Sequence, residues 1–207
     1  MQIAILLYDK FTALDAIGPY QMLSPLPDAE TVFVAERPGL VRDDTGALAF
    51  QADKGLDEVV RPDIVVVPGG PETAAQLENA AVLDWLRAVD AGSTWTTSVC
   101  TGSLILAAAG LLEGRRATSH WMFLEELRAY GAEPTGDRVV FDGKYVTAAG
   151  VSSGIDMGLT LVGRIAGDEY AQTVQLMTEY DPQPPYDAGS PAKAPAGLAD
   201  KLRAAFG

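Results

Sequence analysis

The chain has 207 residues, of which 48% are hydrophobic and 21% are charged, and its formal net charge is -13. This length predicts a single domain over residues 1–207, with a Pro-rich C-terminal extension from about residue 181. The acidity argues against nucleic acid and anionic membrane surfaces as partners, because both select basic patches. A single cysteine excludes an internal disulfide and is typical of a reducing, cytoplasmic location.

Targeting segments and metal sites are not expected. The first apolar run, Ile3–Tyr8, has no basic flank before it and is too short for a signal peptide. No stretch approaches the ~20 apolar residues of a membrane span. One histidine and one cysteine cannot form an ordinary zinc site, and no carboxylate loop of recognisable spacing occurs. We therefore expect neither a metal nor another cofactor.

The first half of the chain alternates short apolar runs with helical patterns. Ile3–Tyr8 predicts a strand buried on both faces. Leu14–Leu23 predicts a helix with Asp15 as its N-cap and Pro19 in its first turn. The other predicted elements of this half are a strand at Glu30–Glu36, a hairpin at Val41–Gln51 around Asp43–Gly46, a strand at Asp63–Val67 and a helix over residues 71–91.

The second half continues the same alternation. Ser93–Val99 predicts a strand, and the nearly all-apolar Gly102–Leu112 predicts a buried helix. The remaining predictions are an amphipathic helix at Trp121–Tyr130, a hairpin of Val139–Phe141 with Tyr145–Thr147, helices at Ser152–Ala166 and Glu169–Tyr180, a Pro-rich stretch from Asp181, and a short helix at Ala196–Phe206.

Apolar strands that alternate with helices predict an α/β fold with a mainly parallel sheet. In such sheets a ligand site lies beyond the carboxyl ends of the strands. Three features follow predicted strands: Asp15, the Gly69-Gly70 pair, and Cys100. We therefore expect them to converge in space.

Cys100 stands between a predicted strand and a predicted helix, in the stretch TTSVCTGS. This position resembles the nucleophile elbow of serine hydrolases, with sulfur in place of oxygen. At such a turn the sulfur faces a helix N-terminus, whose dipole stabilises a thiolate. The alternative is a buried structural cysteine without chemistry.

Asp15 and the glycine pair each have two interpretations. Asp15 is either a helix N-cap or an acid/base for Cys100, with a pKa raised by an apolar pocket beside a thiolate. Gly69 and Gly70 form either a simple tight turn or a pair of exposed N–H groups that make an anion hole over the sulfur.

The single histidine, His120, precedes Trp121 and is either structural or part of the site. Residue 101 is threonine, so no histidine follows the cysteine directly. A Cys-His dyad of the protease or amidotransferase kind therefore has no partner at that position, and amide hydrolysis is disfavoured.

Five motifs together resemble the DJ-1/PfpI superfamily, and within it the isonitrile hydratase branch. They are LDAIGP, VVVPGG, TSVCTGS, GLLEGRRATSHW and YDPQPPYDAGSP, and the resemblance runs from Ile3 to about Pro195. The resemblance implies a flavodoxin-like three-layer sandwich, of the class I glutamine amidotransferase type, and a homodimer. It implies Cys100 as the nucleophile, Asp15 as the catalytic acid/base and Thr101 as the residue that supports it. His120 matches the histidine that superfamily members often place near the cysteine.

The function implied by the resemblance is addition of water to an isonitrile, which yields an N-substituted formamide. Cys100 would attack the terminal carbon, and Asp15 would move the protons through a thioimidate. No cofactor is needed for this chemistry. The apolar surroundings of Ile17, Trp121 and residues 104–112 would suit an apolar substituent on the isonitrile.

Other functions stay open at this point. One is hydration of another small electrophile such as a glyoxal, or deglycation. Another is a redox or electrophile sensor, in which Cys100 is oxidised without turnover. Regulators with a DJ-1-like sensor domain share some of these motifs and carry a C-terminal helix-turn-helix domain. We expect no such domain in a chain with this acidity that ends at Gly207.

Overall fold

A mainly parallel sheet lies at the centre of the computed structural model, which describes residues 1–206. The strands within these residues are β1 (Gln2–Leu6), β2 (Glu30–Ala35), β3 (Gly39–Arg42), β4 (Ala49–Ala52), β5 (Lys54–Gly55), β6 (Ile64–Val67), β7 (Trp95–Val99), β8 (Arg116–Ala117), β9 (Glu133–Pro134), β10 (Val139–Asp142) and β11 (Tyr145–Ala148). Seven strands form the central sheet in the order β10-β11-β7-β6-β1-β2-β5. Strands β10 and β11 pair antiparallel, and the other neighbours in the sheet are parallel.

Helices flank this sheet. The helices of the described residues are α1 (Ala13–Leu23), α2 (Thr73–Gln76), α3 (Ala80–Asp90), α4 (Gly102–Ala108), α5 (Ser153–Ala166), α6 (Asp168–Met177) and α7 (Leu198–Phe206). Helix α5 packs against both α1 and α6, and α4 packs against α2 and α3. The predicted α/β sandwich with a mainly parallel sheet is confirmed.

The core explains why these strands form. Every residue of β6 is completely buried, as are the last four residues of β1. Strands with both faces buried carry uninterrupted apolar runs, as β6 does with the sequence IVVV. Strands β1, β6 and β7 are adjacent and parallel, so their carboxyl ends reach the same edge of the sheet.

The predicted helix over residues 71–91 is wrong in one respect, because it is two helices. Helix α2 ends at Gln76 and α3 begins at Ala80. Asn79 is the N-cap of α3, and its side-chain oxygen accepts from the Val82 N–H at 3.4 Å. An Asn that caps a new helix stabilises the break, which the apolar periodicity across it conceals.

Several further helices are shorter than predicted, among them α6, which ends at Met177 rather than Tyr180, and α7, which begins at Leu198 rather than Ala196. Helix α4 ends at Ala108 rather than Leu112, because Gly110 adopts a φ of 82° directly after the helix. The segment from Trp121 is helical only over Leu124–Tyr130, as a 3-10 helix that Gly131 ends with a φ of 78°.

Both predicted hairpins are confirmed. Strands β3 and β4 pair antiparallel across a turn in which the Asp43 carboxylate accepts from Thr45 and from the Leu48 N–H. Strands β10 and β11 pair with Asp142 opposite Tyr145. After α6, the chain runs without regular structure to α7. The single domain over residues 1–207 stays a prediction, and Gly207 lies outside the described residues.

The position of Asp15 differs from the prediction. Thr12 is the N-cap residue of α1, and Asp15 lies inside the first turn with its side chain completely buried. Pro19 lies in the middle of the helix rather than in its first turn. The Pro19 ring packs against Gly154 of α5, where a Cβ would approach the ring to 3.0 Å. Asp15 therefore does not cap α1, and its carboxyl is buried in the protein.

None of the helices in residues 1–206 combines the length and the apolar composition needed to cross a membrane.

Candidate active site

Cys100 occupies a sharp turn between β7 and α4. Its φ is 59°, a left-handed conformation that is uncommon for residues other than glycine. Its N–H donates to the carbonyls of Ala148 at 3.0 Å and Ala149 at 2.9 Å. Its carbonyl accepts from the hydroxyls of Ser103 and Ser119, both at 3.1 Å. These bonds hold the backbone in a strained conformation of the kind found at functional sites. The predicted elbow geometry is thus present.

The Asp15 carboxyl lies beside the Cys100 thiol without exposure to solvent. The Gly69 N–H donates to Asp15 Oδ2 at 2.9 Å. Asp15 Oδ1 has no hydrogen-bond partner of normal geometry within the described residues. Burial raises the pKa of Asp15 from 3.8 to about 7, although the bonds from Gly69 and from the Cys100 thiol favour the carboxylate. Asp15 can therefore gain or lose a proton near neutral pH.

The Cys100 thiol binds its proton more tightly than a free cysteine does. Burial raises its pKa to about 12, and the negative charge of Asp15 acts in the same direction. The N–H groups of Thr101 and Val151 and the Thr101 hydroxyl face the sulfur and partly offset this. Burial thus opposes the thiolate that the helix end was expected to stabilise, and the local N–H groups offset this only in part. At neutral pH the pair holds a thiol next to a carboxyl that can accept its proton.

The two amides of the glycine pair are already engaged. The Gly69 N–H bonds Asp15, and the Gly70 N–H donates to Thr101 Oγ1 at 3.1 Å. The expectation of free N–H groups over the sulfur is therefore wrong. A Cβ on Gly69 would lie 2.6 Å from the Thr101 nitrogen, so this turn approaches the elbow more closely than any side chain permits. The pair positions Asp15 and Thr101.

A chain of buried hydroxyl groups leads from Thr101 into the protein. Thr101 Oγ1 lies 2.7 Å from Thr73 Oγ1, which donates to the Gly70 carbonyl at 2.8 Å. Thr73 Oγ1 in turn lies 3.3 Å from the Tyr8 hydroxyl, which also donates to the Pro68 carbonyl at 3.1 Å. Burial raises the pKa of Tyr8, so it stays protonated. The chain fixes the Thr101 hydroxyl beside the sulfur.

A cavity of about 550 Å³ opens at this elbow. Cys100, Thr101, Gly70 and His120 all border it. Most of its wall is apolar, and the larger apolar side chains that line it are Leu77, Leu104, Trp121, Met122, Phe123, Val151 and Leu202. Ile17 is not among its lining residues in the described part of the chain, so the prediction that places Ile17 at the substrate is wrong. The cavity suits a ligand with a sizeable apolar group.

His120 lies on the wall of this cavity, half-buried between the rings of Trp121 and Phe123. Burial lowers the pKa of His120, so the imidazole is neutral at pH 7. Its Nδ1 accepts from the Met122 N–H at 3.4 Å, which leaves the proton on Nε2. His120 can donate a hydrogen bond into the cavity but is a weak candidate for a general base.

Sequence reasoning missed Val151, Thr73, Tyr8 and Leu202. A signal existed for Val151, which follows β11, the parallel neighbour of β7 on the side away from β6. The strand-end rule used for Asp15 and Cys100 applies to it equally. Leu202 comes from the C-terminal helix, and no local pattern connects that helix with Cys100.

Clusters of three or more His, Cys, Asp or Glu side chains that could hold a metal ion do not occur in the described residues.

The fold and this site define a class of α/β protein, with a cysteine at a nucleophile elbow and a buried carboxyl beside it. A sequence model of the DJ-1/PfpI family matches residues 1–164. The chain belongs to the DJ-1/PfpI family.

Three known proteins are similar to this chain in sequence or structure. The isonitrile hydratase of Pseudomonas putida is 42% identical over 98% of this chain and 89% of that protein. A THiJ/PfpI family protein of Pseudomonas syringae, known from its crystal structure, is 40% identical, with a TM-score of 0.96 over 99% of this chain and 85% of that one. The HTH-type transcriptional regulator CdhR of Pseudomonas aeruginosa is 30% identical over 63% of this chain and 39% of that protein. The predictions of the family and of an enzyme are confirmed.

Proposed function

We propose that this chain is an isonitrile hydratase, which adds water to R–N≡C and releases the N-substituted formamide R–NH–CHO. The observation that carries the proposal is the Cys100 thiol, which borders an apolar cavity, with the buried Asp15 carboxyl beside it. The identity of 42% to the isonitrile hydratase of Pseudomonas putida, over nearly the full chain, supports it.

The first half of the reaction forms a covalent bond to sulfur. Asp15 Oδ1, which lacks another partner within the described residues, takes the proton from the Cys100 thiol as the sulfur attacks the terminal carbon of the isonitrile. Asp15 then gives this proton to the same carbon. The product is the thioimidate R–N=CH–S–Cys100. A carboxyl with a pKa of about 7 serves as both acceptor and donor near neutral pH.

The second half releases the formamide. Asp15, again a carboxylate, takes a proton from water as the oxygen attacks the thioimidate carbon, and it delivers that proton to nitrogen. The tetrahedral species R–NH–CH(OH)–S–Cys100 then collapses. The C–S bond breaks, the carbonyl forms, and the hydroxyl proton returns to the sulfur. The N–H groups of Thr101 and Val151 that face the sulfur stabilise it as the leaving group.

The remaining predicted site residues receive supporting roles. The Thr101 N–H faces the sulfur, and Gly69 holds Asp15 Oδ2 so that Oδ1 stays free for protons. Gly70 orients Thr101 through its N–H. His120 offers its Nε2 proton to the substrate from the cavity wall. No step requires a second base.

The test is turnover of cyclohexyl isonitrile, followed by chromatography of the formamide, with Cys100→Ala and Cys100→Ser as paired variants. We expect many turnovers per wild-type chain and a loss of at least about 10³-fold in both variants, because the nucleophile is removed. If Cys100→Ala retains the wild-type rate, water attacks directly and the covalent route is wrong. If the wild type yields no formamide, the proposed function is wrong.

Hydration of a glyoxal is a weaker candidate. Glyoxals are small and polar, whereas this cavity of about 550 Å³ is lined mainly by apolar side chains. A ligand that fills an apolar cavity gains free energy from burying its own apolar surface. The same cavity favours an isonitrile with an apolar substituent.

A cysteine sensor is the second candidate, because the regulator CdhR is 30% identical over part of this chain. Sensor cysteines are exposed and have low pKa values. Cys100 is 6% exposed, and burial raises the pKa of its thiol. Exposure of the protein to peroxide, with intact mass as the readout, distinguishes the two, since a sensor reaches stoichiometric oxidation without turning over an isonitrile.

The family resemblance also leads us to propose a homodimer in the cytoplasm. Light scattering of the purified chain tests the dimer, for which twice the monomer mass of 21.8 kDa is expected. A monomer at micromolar concentration would contradict it.

A further inference from the structure

The C-terminal helix α7 reaches the cavity that contains Cys100. Leu202, in the middle of this helix, is among the residues that line the cavity. The same cavity is bordered on its other sides by Leu77, Trp121 and Phe123. A segment far from the elbow in the sequence therefore contributes a wall to it.

Two contacts seat α7 at this place. The Arg203 guanidinium lies 5.0 Å from the centre of the Trp121 ring, within the range of a cation–π interaction. Trp121 also borders a small groove of about 110 Å³ beneath the tail, together with Leu198, Leu202 and Pro191. Trp121 therefore borders the cavity with Cys100 and also contacts helix α7.

Helix α7 lies outside the part of the chain that the family model describes, which ends at residue 164. The isonitrile hydratase of Pseudomonas putida and the solved Pseudomonas syringae protein match 98% and 99% of this chain, so both matches extend into α7. The wall that Leu202 contributes is therefore an addition to the matched family region. A residue that lines the cavity from outside the matched family region can change which substrates fit without changing that region.

We propose that α7 closes one side of the substrate cavity and that Leu202 is a specificity-determining residue that limits the size of the isonitrile substituent. The substrate chemistry in this statement rests on the proposed function, whereas the role of Leu202 as a wall of the Cys100 cavity does not. Leu202 is 39% exposed and is not part of the buried core, so its replacement changes the cavity without creating a void in the core.

The chain offers a matched control in Leu198. Leu198 is also 39% exposed and lies on the same helix, but it borders the groove beneath the tail and not the cavity with Cys100. The variants are therefore Leu202→Ala, Leu202→Trp and Leu198→Ala. The first readout is the ratio of kcat/KM for cyclohexyl isonitrile to that for methyl isonitrile.

We expect Leu202→Ala to raise this ratio and Leu202→Trp to lower it, each by at least about tenfold, because a change of even one methylene in an apolar pocket alters discrimination by about this factor and both substitutions are larger. Leu198→Ala should leave the ratio within about twofold of wild type. If the Leu202 variants match Leu198→Ala, the wall does not select the substituent and the inference is overturned.

A second readout separates this inference from the proposed function. The rates at which methyl and benzyl methanethiosulfonate modify Cys100 are measured by intact mass in the same variants. A benzyl-to-methyl ratio that rises in Leu202→Ala, falls in Leu202→Trp and is unchanged in Leu198→Ala supports the wall, even if no isonitrile is turned over. A ratio that is the same in all chains overturns it, whatever the isonitrile assay gives.

Discussion

Replacement of Asp15 by asparagine should remove a pH-dependent penalty on folding. Asp15 is completely buried, and burial raises its pKa from 3.8 to about 7. A raised carboxyl pKa means that the folded protein holds the proton longer than the unfolded chain, so stability falls as the pH rises between these two values. At about 1.4 kcal/mol for each tenfold change in proton affinity, the full penalty is about 4 kcal/mol.

Asparagine retains the shape and an oxygen that can accept from the Gly69 N–H, but it does not ionise. The Asp15→Asn variant should therefore gain stability relative to wild type as the pH rises. Between pH 5 and pH 8 the expected relative gain is about 3 kcal/mol, since most of the titration falls in that range. The absolute offset depends on how well the amide protons are accommodated, whereas the change with pH does not.

The assay is urea unfolding of both chains at pH 5, 6, 7 and 8. Other groups titrate in both proteins, so their contributions cancel in the difference between the two free energies of unfolding. Above pH 8 the comparison loses meaning, because the Cys100 thiol responds to the loss of the Asp15 charge. Parallel pH profiles for wild type and variant would refute the raised pKa, and with it the assignment of Asp15 as the proton carrier.

Three further predictions concern the surroundings of the pair. Thr73→Val should lower kcat about tenfold at unchanged KM, because Thr101 loses one orienting hydrogen bond, and Thr73→Ser should restore it; equal rates for both variants would make the hydroxyl irrelevant. Gly102→Ala should destabilise the protein by about 3 kcal/mol in urea unfolding, because the new Cβ would overlap the Val67 carbonyl oxygen and lie 2.8 Å from the Pro68 carbonyl oxygen. Its control, Gly136→Ala, meets no atom within 4 Å in the described residues and should stay within about 0.5 kcal/mol of wild type; similar losses in both would show that the contact is not responsible. His120→Asn should raise KM and leave the pH dependence of kcat unchanged, since His120 is neutral at pH 7; a shifted profile would assign it a proton.

The convergence of Asp15, Gly69 and Cys100 could be predicted from the sequence. Each follows an apolar run that reads as a buried strand, and adjacent parallel strands end at one edge of the sheet. The elbow at Cys100 was predictable for the same reason, since a strand passes directly into a helix there. These inferences need only local patterns and one topological rule.

The protonation of the pair could not be predicted in this way. A helix end beside Cys100 indicates a thiolate. Burial instead raises the pKa of the thiol, and the degree of burial depends on how the whole chain packs. The use of the Gly69 and Gly70 amides was hidden similarly, because their acceptors, Asp15 and Thr101, are distant in sequence. Leu202 is also distant from Cys100 in sequence, so its place on the cavity wall could not be predicted either.

The four hydrogen bonds around the Cys100 backbone have a consequence for synthesis. Only Ser103 is near in sequence, whereas Ser119, Ala148 and Ala149 all leave the ribosome later than the cysteine. Until those residues emerge, three of the four hydrogen bonds that hold the backbone at residue 100 cannot form. The strained turn at Cys100 therefore depends on residues that emerge later, so a nascent chain that stalls before β11 carries the cysteine without most of the hydrogen bonds that hold its backbone in this turn.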